Sequence, residues 1–431
     1  MAQARQSTVT RNLLIVYCLS TVLISLAACY AFLSQHRASV YLLPNLVGPT
    51  AQSLTERHSF TVCPTDPAID PYLCLYDGRM PAASVFIAVL RGIVGDDSLR
   101  VGLVKTVLML TLVWLAGWTV FSSVSPRKAA LVLALLLVPF FATPLLADVV
   151  NLQVEEGYTY SALMLCVALL LFPAFWISES GRARWPWLIT LALSVDLLYL
   201  AKSSMIAVVA VLVFWGLLQV KPGAQRLALC LLVLAAPVGW MVHAHTVSGR
   251  YAIGTSLDGI NFHKGNNAKF LERFPPQPGR NLDEFDHELN VGHVFHNEWE
   301  YSDYHLQAGK QYMRKHPSET VTGWWRKFYV LFFSMKKIGS TESQGAMRLA
   351  ETLGLVILRV FLWVSFLLCC LWIVRPALPG DRLSGLLMLA LFGAAAAPYL
   401  AGFGYTRHIS VLLLPAALVL CRYAAPKARF F

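Results

Sequence analysis

Long apolar runs separated by short polar breaks dominate the chain. Runs of roughly 17–23 residues match a hydrocarbon core of about 30 Å crossed at 1.5 Å per residue. They fall at 13–33, 101–123, 129–147, 158–177, 227–244, 354–374, 383–402 and 409–424. The stretch 187–220 is too long for one crossing and carries Asp196 and Lys202 near its middle. It divides at Lys202-Ser203-Ser204 into two short spans. The pattern predicts about ten transmembrane helices. A shorter run, 82–94, is interrupted by Arg91 and predicts a helix lying in the interface.

Two polar segments interrupt this pattern. The first, 35–81, ends in Tyr76-Asp77-Gly78-Arg79-Met80-Pro81. The second starts at His245 and runs to about Thr322. It holds the turn clusters Gly265-Asn266-Asn267 and Pro275-Pro276-Gln277-Pro278-Gly279, then an amphipathic helical pattern over 283–316. Trp324-Trp325-Arg326-Lys327 reads as an interfacial belt, and 328–333 is apolar but too short to span. Three regions follow: an N-terminal transmembrane module over 1–244 containing the first loop, an extracytoplasmic segment with interfacial helices over 245–353, and C-terminal transmembrane helices over 354–431.

Composition agrees with this pattern. Apolar residues make up 57% of the chain and charged residues 14%, against about 25% charged in a soluble domain. The fold class expected is an all-α polytopic membrane protein. The net charge of +11 is concentrated in short loops such as Arg127-Lys128 and Arg182 to Arg184. Ten crossings place those loops on one side, as the positive-inside rule requires, and both large polar segments on the other. The same distribution argues against nucleic-acid binding. The first apolar run spans without a convincing cleavage site, so no removable signal peptide is expected. Of nine cysteines, only Cys63 and Cys74 lie in the first polar loop. They predict a disulfide if that loop faces an oxidising compartment, and two free thiols if it faces the cytosol.

Candidate chemistry collects on the outer side. Carboxylates near fixed cations suit group transfer from a lipid-linked phosphate: cations hold the phosphate and a carboxylate takes a proton from an acceptor hydroxyl. Glu155 and Glu156 head an apolar helix, where a helix-dipole role is the plain alternative. Lys202 is a charge at membrane depth and calls for a partner, with Asp196 the nearest acid in sequence. Arg407 stands at the outer end of a span, and Arg359 lies inside one. The histidines fit no zinc spacing, since His287-Glu288 lacks the second histidine of a His-Glu-x-x-His motif. No phosphate-cradling or dinucleotide motif occurs, so no cofactor or metal is expected.

The chain resembles the bacterial integral-membrane GT-C glycosyltransferases, the superfamily of protein O-mannosyltransferases and lipid A aminoarabinose transferases. Ala51-Gln52-Ser53-Leu54 followed by His58-Ser59-Phe60 is similar to the family's A-x-x-L…G-x-F. Gly78-Arg79-Met80-Pro81 leading to Val94-Gly95 is similar to its R-x-P…FG. Glu156 stands where the family often has an acid, Leu200-Ala201-Lys202-Ser203-Ser204 resembles L-T-R-P-S, and Gly265-Asn266-Asn267 resembles a GNN turn. Arg407 with Pro415 resembles the closing R…P. The segment Leu42 to Pro49 departs from the family, because it carries no carboxylate where an Asp is usual.

The resemblance implies a polyprenyl-phosphate sugar donor, a glycan, lipid or protein acceptor, contact with membrane lipids, and no nucleotide cofactor. It implies a site facing the periplasm from a bacterial inner membrane. The candidate catalytic residues are Glu156, Glu155, Asp77 and Glu56. The candidate substrate-binding residues are Arg79, Lys202, Arg407, Asp148, His263, Asn266 and Asn267. Alternatives remain open: an O-antigen polymerase or ligase, a transporter of lipid-linked substrate, or a non-catalytic relative. No internal repeat supports a transporter.

Overall fold

A computed structural model describes residues 2–35, 39–40, 46–63, 74–142, 155–178, 180–275, 288–289, 293–335, 345–377 and 380–424. Their regular structure is helical. The helices are α1 (Ala2–Gln35), α2 (Val47–Arg57), α3 (Pro81–Val94), α4 (Ser98–Ser123), α5 (Ala129–Leu137), α6 (Glu156–Leu171), α7 (Trp185–Ala201), α8 (Ile206–Gln219) and α9 (Ala224–Ser248). There follow α10 (Asp258–Lys264), α11 (Phe270–Arg273), α12 (Glu298–Lys315), α13 (Pro317–Phe332), α14 (Gly345–Val374), α15 (Asp381–Ala401), α16 (Thr406–Ser410) and α17 (Leu413–Ala424).

Among the described residues, six helical segments are long and apolar enough to cross a membrane: Arg11–Tyr30, Ser98–Ser123, Ala224–Ser248, Glu351–Val374, Asp381–Ala401 and Thr406–Ala424. Several others, including Glu156–Leu171 and Trp185–Ala201, are apolar but shorter. The regular structure of the described residues is therefore helical, and its long apolar helices make the protein membrane-embedded.

The organising element is α6. All of its residues are buried, from Glu156 to Leu171. A helix apolar on every side belongs in an interior, and α4, α7, α8 and α17 pack around this one. Its short length is explained by that position, since other helices enclose it. Its N-terminus is the only part that carries an acid, and that end anchors the candidate site.

The division at Lys202 follows from the backbone. Lys202 is extended, with φ −156° and ψ 116°, and ends α7. A single 3-10 turn over Ser203–Met205 then leads into α8. An ion-bearing side chain is thereby presented at a break between two apolar helices.

Two expectations for the second polar segment need correction. The helical pattern expected over 283–316 is interrupted: 288–289 are helical, and after a break a new helix starts at Glu298, where Asn297 caps it. The Asn297 side chain accepts from Trp299 N at 3.0 Å and Glu300 N at 2.9 Å, and an Asn cap stabilises a helix start by about 1 kcal/mol. Residues 293–297 are not helical, while 283–287 and 290–292 lie outside the described residues. The belt at 324–327 is also divided. Trp324 and Trp325 are exposed on α13, but Lys327 is fully buried, because the helical period turns it inward with Thr320, Gly323, Val330 and Leu331. Its Nζ donates to the Leu400 carbonyl at 3.1 Å and lies 4.9 Å from the Phe270 ring centroid. Burial pulls its pKa down to about 7.

Helix α10 lies against α12 at very short range. A Cβ on Gly259 would overlap the Ser302 carbonyl, and one on Gly265 would overlap the Gly402 carbonyl. Glycine is required at both by backbone approach. The second contact fixes the Gly265-Asn266-Asn267 turn on the end of α15.

Candidate functional site

Glu156 is the first residue of α6, where the partial positive charge of the helix end favours an anion. Its Oε1 lies 2.8 Å from Lys202 Nζ and 3.8 Å from Arg407 Nε. Its Oε2 has no hydrogen-bond partner among the described residues. Lys202 arrives from the α7–α8 break and Arg407 from α16, so three distant segments meet at one carboxylate.

Aromatic packing and hydrogen bonds hold these groups. Lys202 Nζ lies 5.6 Å from the Tyr399 ring centroid. That ring stacks on His408 with centroids 4.2 Å apart, and the Tyr399 hydroxyl lies 3.2 Å from Ser204 Oγ. One turn into α6, the Tyr160 hydroxyl donates to the Arg407 carbonyl at 3.2 Å and also meets Ser410 Oγ. This ties α16, and with it Arg407, to the head of α6.

Arg79 adds a third cation from the first polar segment. Its Nη1 is 3.6 Å from Glu155 Oε1. Asp77 pins that segment. Its backbone N–H donates to the Glu298 carboxylate at 3.1 Å, its carbonyl accepts from Ser256 N at 3.0 Å, and its Oδ2 accepts from Ser248 Oγ at 3.0 Å. Burial raises the carboxyl pKa of both Asp77 and Glu298. The wholly buried Asp77 thus fixes the loop that carries Arg79.

The charges are layered. The side chains of Arg79 and Arg407 are 32% and 36% accessible and Lys202 is 18%, against 11% and 3% for Glu155 and Glu156. Cations face outward and carboxylates lie beneath. The arrangement can take an added anion at the mouth, where three fixed positive groups already converge.

Asp258, which no sequence argument singled out, stands beside this cluster. It accepts from Thr255 N at 2.8 Å and from Thr255 Oγ1 and Ser203 Oγ at 3.1 Å each. Loss of solvation lifts its carboxyl above the ordinary range, opposed by those hydrogen bonds and by Arg79. The available signal was local: Thr255-Ser256-Leu257-Asp258 has the spacing of a capping box.

The other predicted residues are elsewhere. Asp196 is not the partner of Lys202, contrary to expectation. Glu156 takes that role, because α7 and α6 pack side by side, and Asp196 Oδ1 has no hydrogen-bond partner among the described residues. Glu56 is exposed on α2 and accepts from Gln52 at 3.2 Å. Asn266 donates to the Phe262 and Ala401 carbonyls, and Asn267 to those of His263 and Lys264, so both amides serve the turn. Arg359 donates to the Leu331, Val330 and Ser334 carbonyls, a structural use of a charge inside a span. Cys63 and Cys74 form a disulfide, next to a backbone bridge between Val62 and Leu75. Asp148 lies outside the described residues. Among the described residues no group of three or more His, Cys, Asp or Glu side chains is placed to hold a metal.

No protein-family model, curated protein or solved structure matches the chain.

His263 pairs with His305 between α10 and α12, Nδ1 to Nδ1 at 2.9 Å. One ring must keep a bare Nδ1 to accept, so full protonation breaks the bond. Burial lowers His263 to about 4 and, with help from the nearby cationic groups, His305 to about 3. Both folded values lie below the unfolded value of about 6.5. The unfolded state therefore binds more protons as pH falls below about 6.5. The stability contributed by the neutral pair is lost progressively from about pH 6.5 downward, and the loss levels off below the folded values of about 4 and 3. The melting temperature of the native protein is expected to fall more steeply between pH 6.5 and 4 than that of a His263→Gln/His305→Gln variant. Parallel curves would contradict a neutral buried pair.

Proposed function

We propose that the protein is a membrane-embedded glycosyltransferase that takes a sugar from a polyprenyl-phosphate donor at the outer face of a bacterial inner membrane. The reading keeps about ten crossings, with the shorter apolar helices spanning as enclosed members of the bundle. The observation that carries it is the convergence of Arg79, Lys202 and Arg407 on the Glu155-Glu156 head of α6.

In this reading the three cations hold the donor phosphate at the membrane surface. The acceptor hydroxyl attacks the anomeric carbon and the bond from that carbon to the phosphate oxygen breaks. The leaving polyprenyl phosphate takes the electron pair, where the cations stabilise the growing charge. The hydroxyl proton passes to a carboxylate. Glu156 is poorly suited to that step, because an ionised carboxylate already held by Lys202 and Arg407 is a weak base. It fits better as a positioning residue that keeps two cations in place. Asp258 is better suited, since its carboxylate is exposed, lies beside Ser203 and stands on the Arg79 side of the cluster.

The test is transfer of radiolabelled sugar from a synthetic polyprenyl-phosphate donor to membrane extract by the protein in lipid nanodiscs. Transfer is expected in the native protein, with a loss of about 10²-fold or more in kcat for Asp258→Asn. Absence of transfer with a panel of donor sugars would count against the enzyme reading. Full activity in Asp258→Asn would move the base elsewhere.

A further inference from the structure

An open pocket lies apart from the cation cluster, at the start of α12 and the end of α9. Its volume is 540 Å³, within the range of small-molecule sites. Its lining is aromatic and polar together. The Tyr304 and His293 rings lie with centroids 4.2 Å apart and are joined by a hydrogen bond of 2.7 Å between the Tyr304 hydroxyl and His293 Nε2. Trp299 stands beside them under Arg250, whose guanidinium carbon is 4.7 Å from the ring centroid. Glu300 and Asp303 supply carboxylates to the same wall.

Charge narrows the ligand. Arg250 is held by Asp303 in a two-bond fork at 2.6 and 3.0 Å. Glu300 adds a second carboxylate, which accepts from the His296 N–H at 2.8 Å and lies 3.0 Å from His296 Nδ1, so acids outnumber the arginine on this wall and a phosphate or another anion is disfavoured. A purely apolar ligand is also disfavoured, because it would strip water from two half-exposed charged side chains, Asp303 and Glu300. A ring with an apolar face and several hydroxyls satisfies both halves. Its C–H face packs on aromatic rings, and its hydroxyls donate to carboxylates.

We infer that this cavity binds neutral sugar residues of a glycan. It is joined to the cation cluster by a short chain of bonds. Trp299 Nε1 donates to Ser248 Oγ at 2.9 Å, and Ser248 Oγ donates to Asp77 Oδ2, two residues before Arg79. Glu298, adjacent to Trp299, accepts from the N–H groups of Tyr76 and Asp77. A sugar held here is held by the same helix start that fixes the Arg79 loop. Use of this cavity for the acceptor rests on the transferase reading, whereas sugar binding itself does not.

The experiment is saturation-transfer NMR on the full chain in nanodiscs made without glycolipid and without glycoside detergent, which would itself compete. The probes are chitotetraose, cellotetraose, mannotetraose and maltotetraose, with an uncharged tetrapeptide as the contrasting ligand. Saturable binding of at least one tetrasaccharide is expected, weakened about tenfold or more by Tyr304→Ala and by Glu300→Gln. Glu300→Gln keeps the side-chain shape, so it serves if the alanine variant does not fold. The inference is overturned if no tetrasaccharide binds, if binding is unchanged in the folded variants, or if the peptide binds in place of every sugar. No donor or transfer step enters this measurement, so its failure is distinct from failure of the transferase reading.

Discussion

Lys202→Met is expected to destabilise the protein by about 3 kcal/mol, at the lower end of the 3–5 kcal/mol typical of breaking a buried ion pair. The substitution leaves the Glu156 carboxylate 3% accessible, with Arg407 Nε at 3.8 Å as its remaining cation. The weaker Arg407 contact is why the lower end applies. Glu156→Gln alone leaves Lys202 short of its charged partner and is expected to destabilise by a similar amount. The double variant Glu156→Gln/Lys202→Met removes both charges together and should recover much of the loss. Thermal denaturation of the four proteins in nanodiscs measures the coupling. A double variant as damaged as the sum of the two singles would mean that the residues act independently.

Arg79→Ala is expected to behave differently. Arg79 is about a third accessible and its contact with Glu155 is long, at 3.6 Å, so the ion pair contributes at most about 1 kcal/mol to stability. Its effect on transfer should be large, about 10²-fold in kcat/KM, because a cation facing a leaving phosphate acts on charge that grows in the transition state. Arg79→Lys should restore only part of the activity, since an ammonium cannot offer a phosphate the planar two-pronged donor of a guanidinium. Initial rates at varied donor concentration, together with melting curves, separate the two effects. A variant that melts early and transfers normally would place Arg79 in the scaffold.

The apolar pattern carried the helical membrane class because membrane helices must satisfy their backbone internally and face lipid with apolar side chains. The break at Lys202-Ser203-Ser204 was legible because a run of 187–220 exceeds one crossing. The pairing at that break was not legible. Asp196 is six residues away in sequence, whereas Glu156 reaches Lys202 only through the packing of α6 on α7. Lys327 was misassigned for a related reason. The Trp-Trp-Arg-Lys cluster is an interfacial composition, but the helical period turns its last member inward. Asp258 escaped notice because its chemistry depends on Ser203 and Arg79, both far away in the chain. Glu156 stood out in the sequence as an acid heading an apolar run. Only the convergence of two cations on it favours positioning over proton transfer.

The cation cluster as a polyprenyl-phosphate site is tested most directly by binding of undecaprenyl phosphate to the purified protein in nanodiscs, followed by native mass spectrometry. Saturable binding is expected, with undecaprenol at least about tenfold weaker and with Arg79→Ala and Arg407→Ala each weakening the phosphate form about tenfold, or about 1.4 kcal/mol. Equal affinity for undecaprenol and undecaprenyl phosphate, or undiminished binding in both arginine variants, would contradict the account.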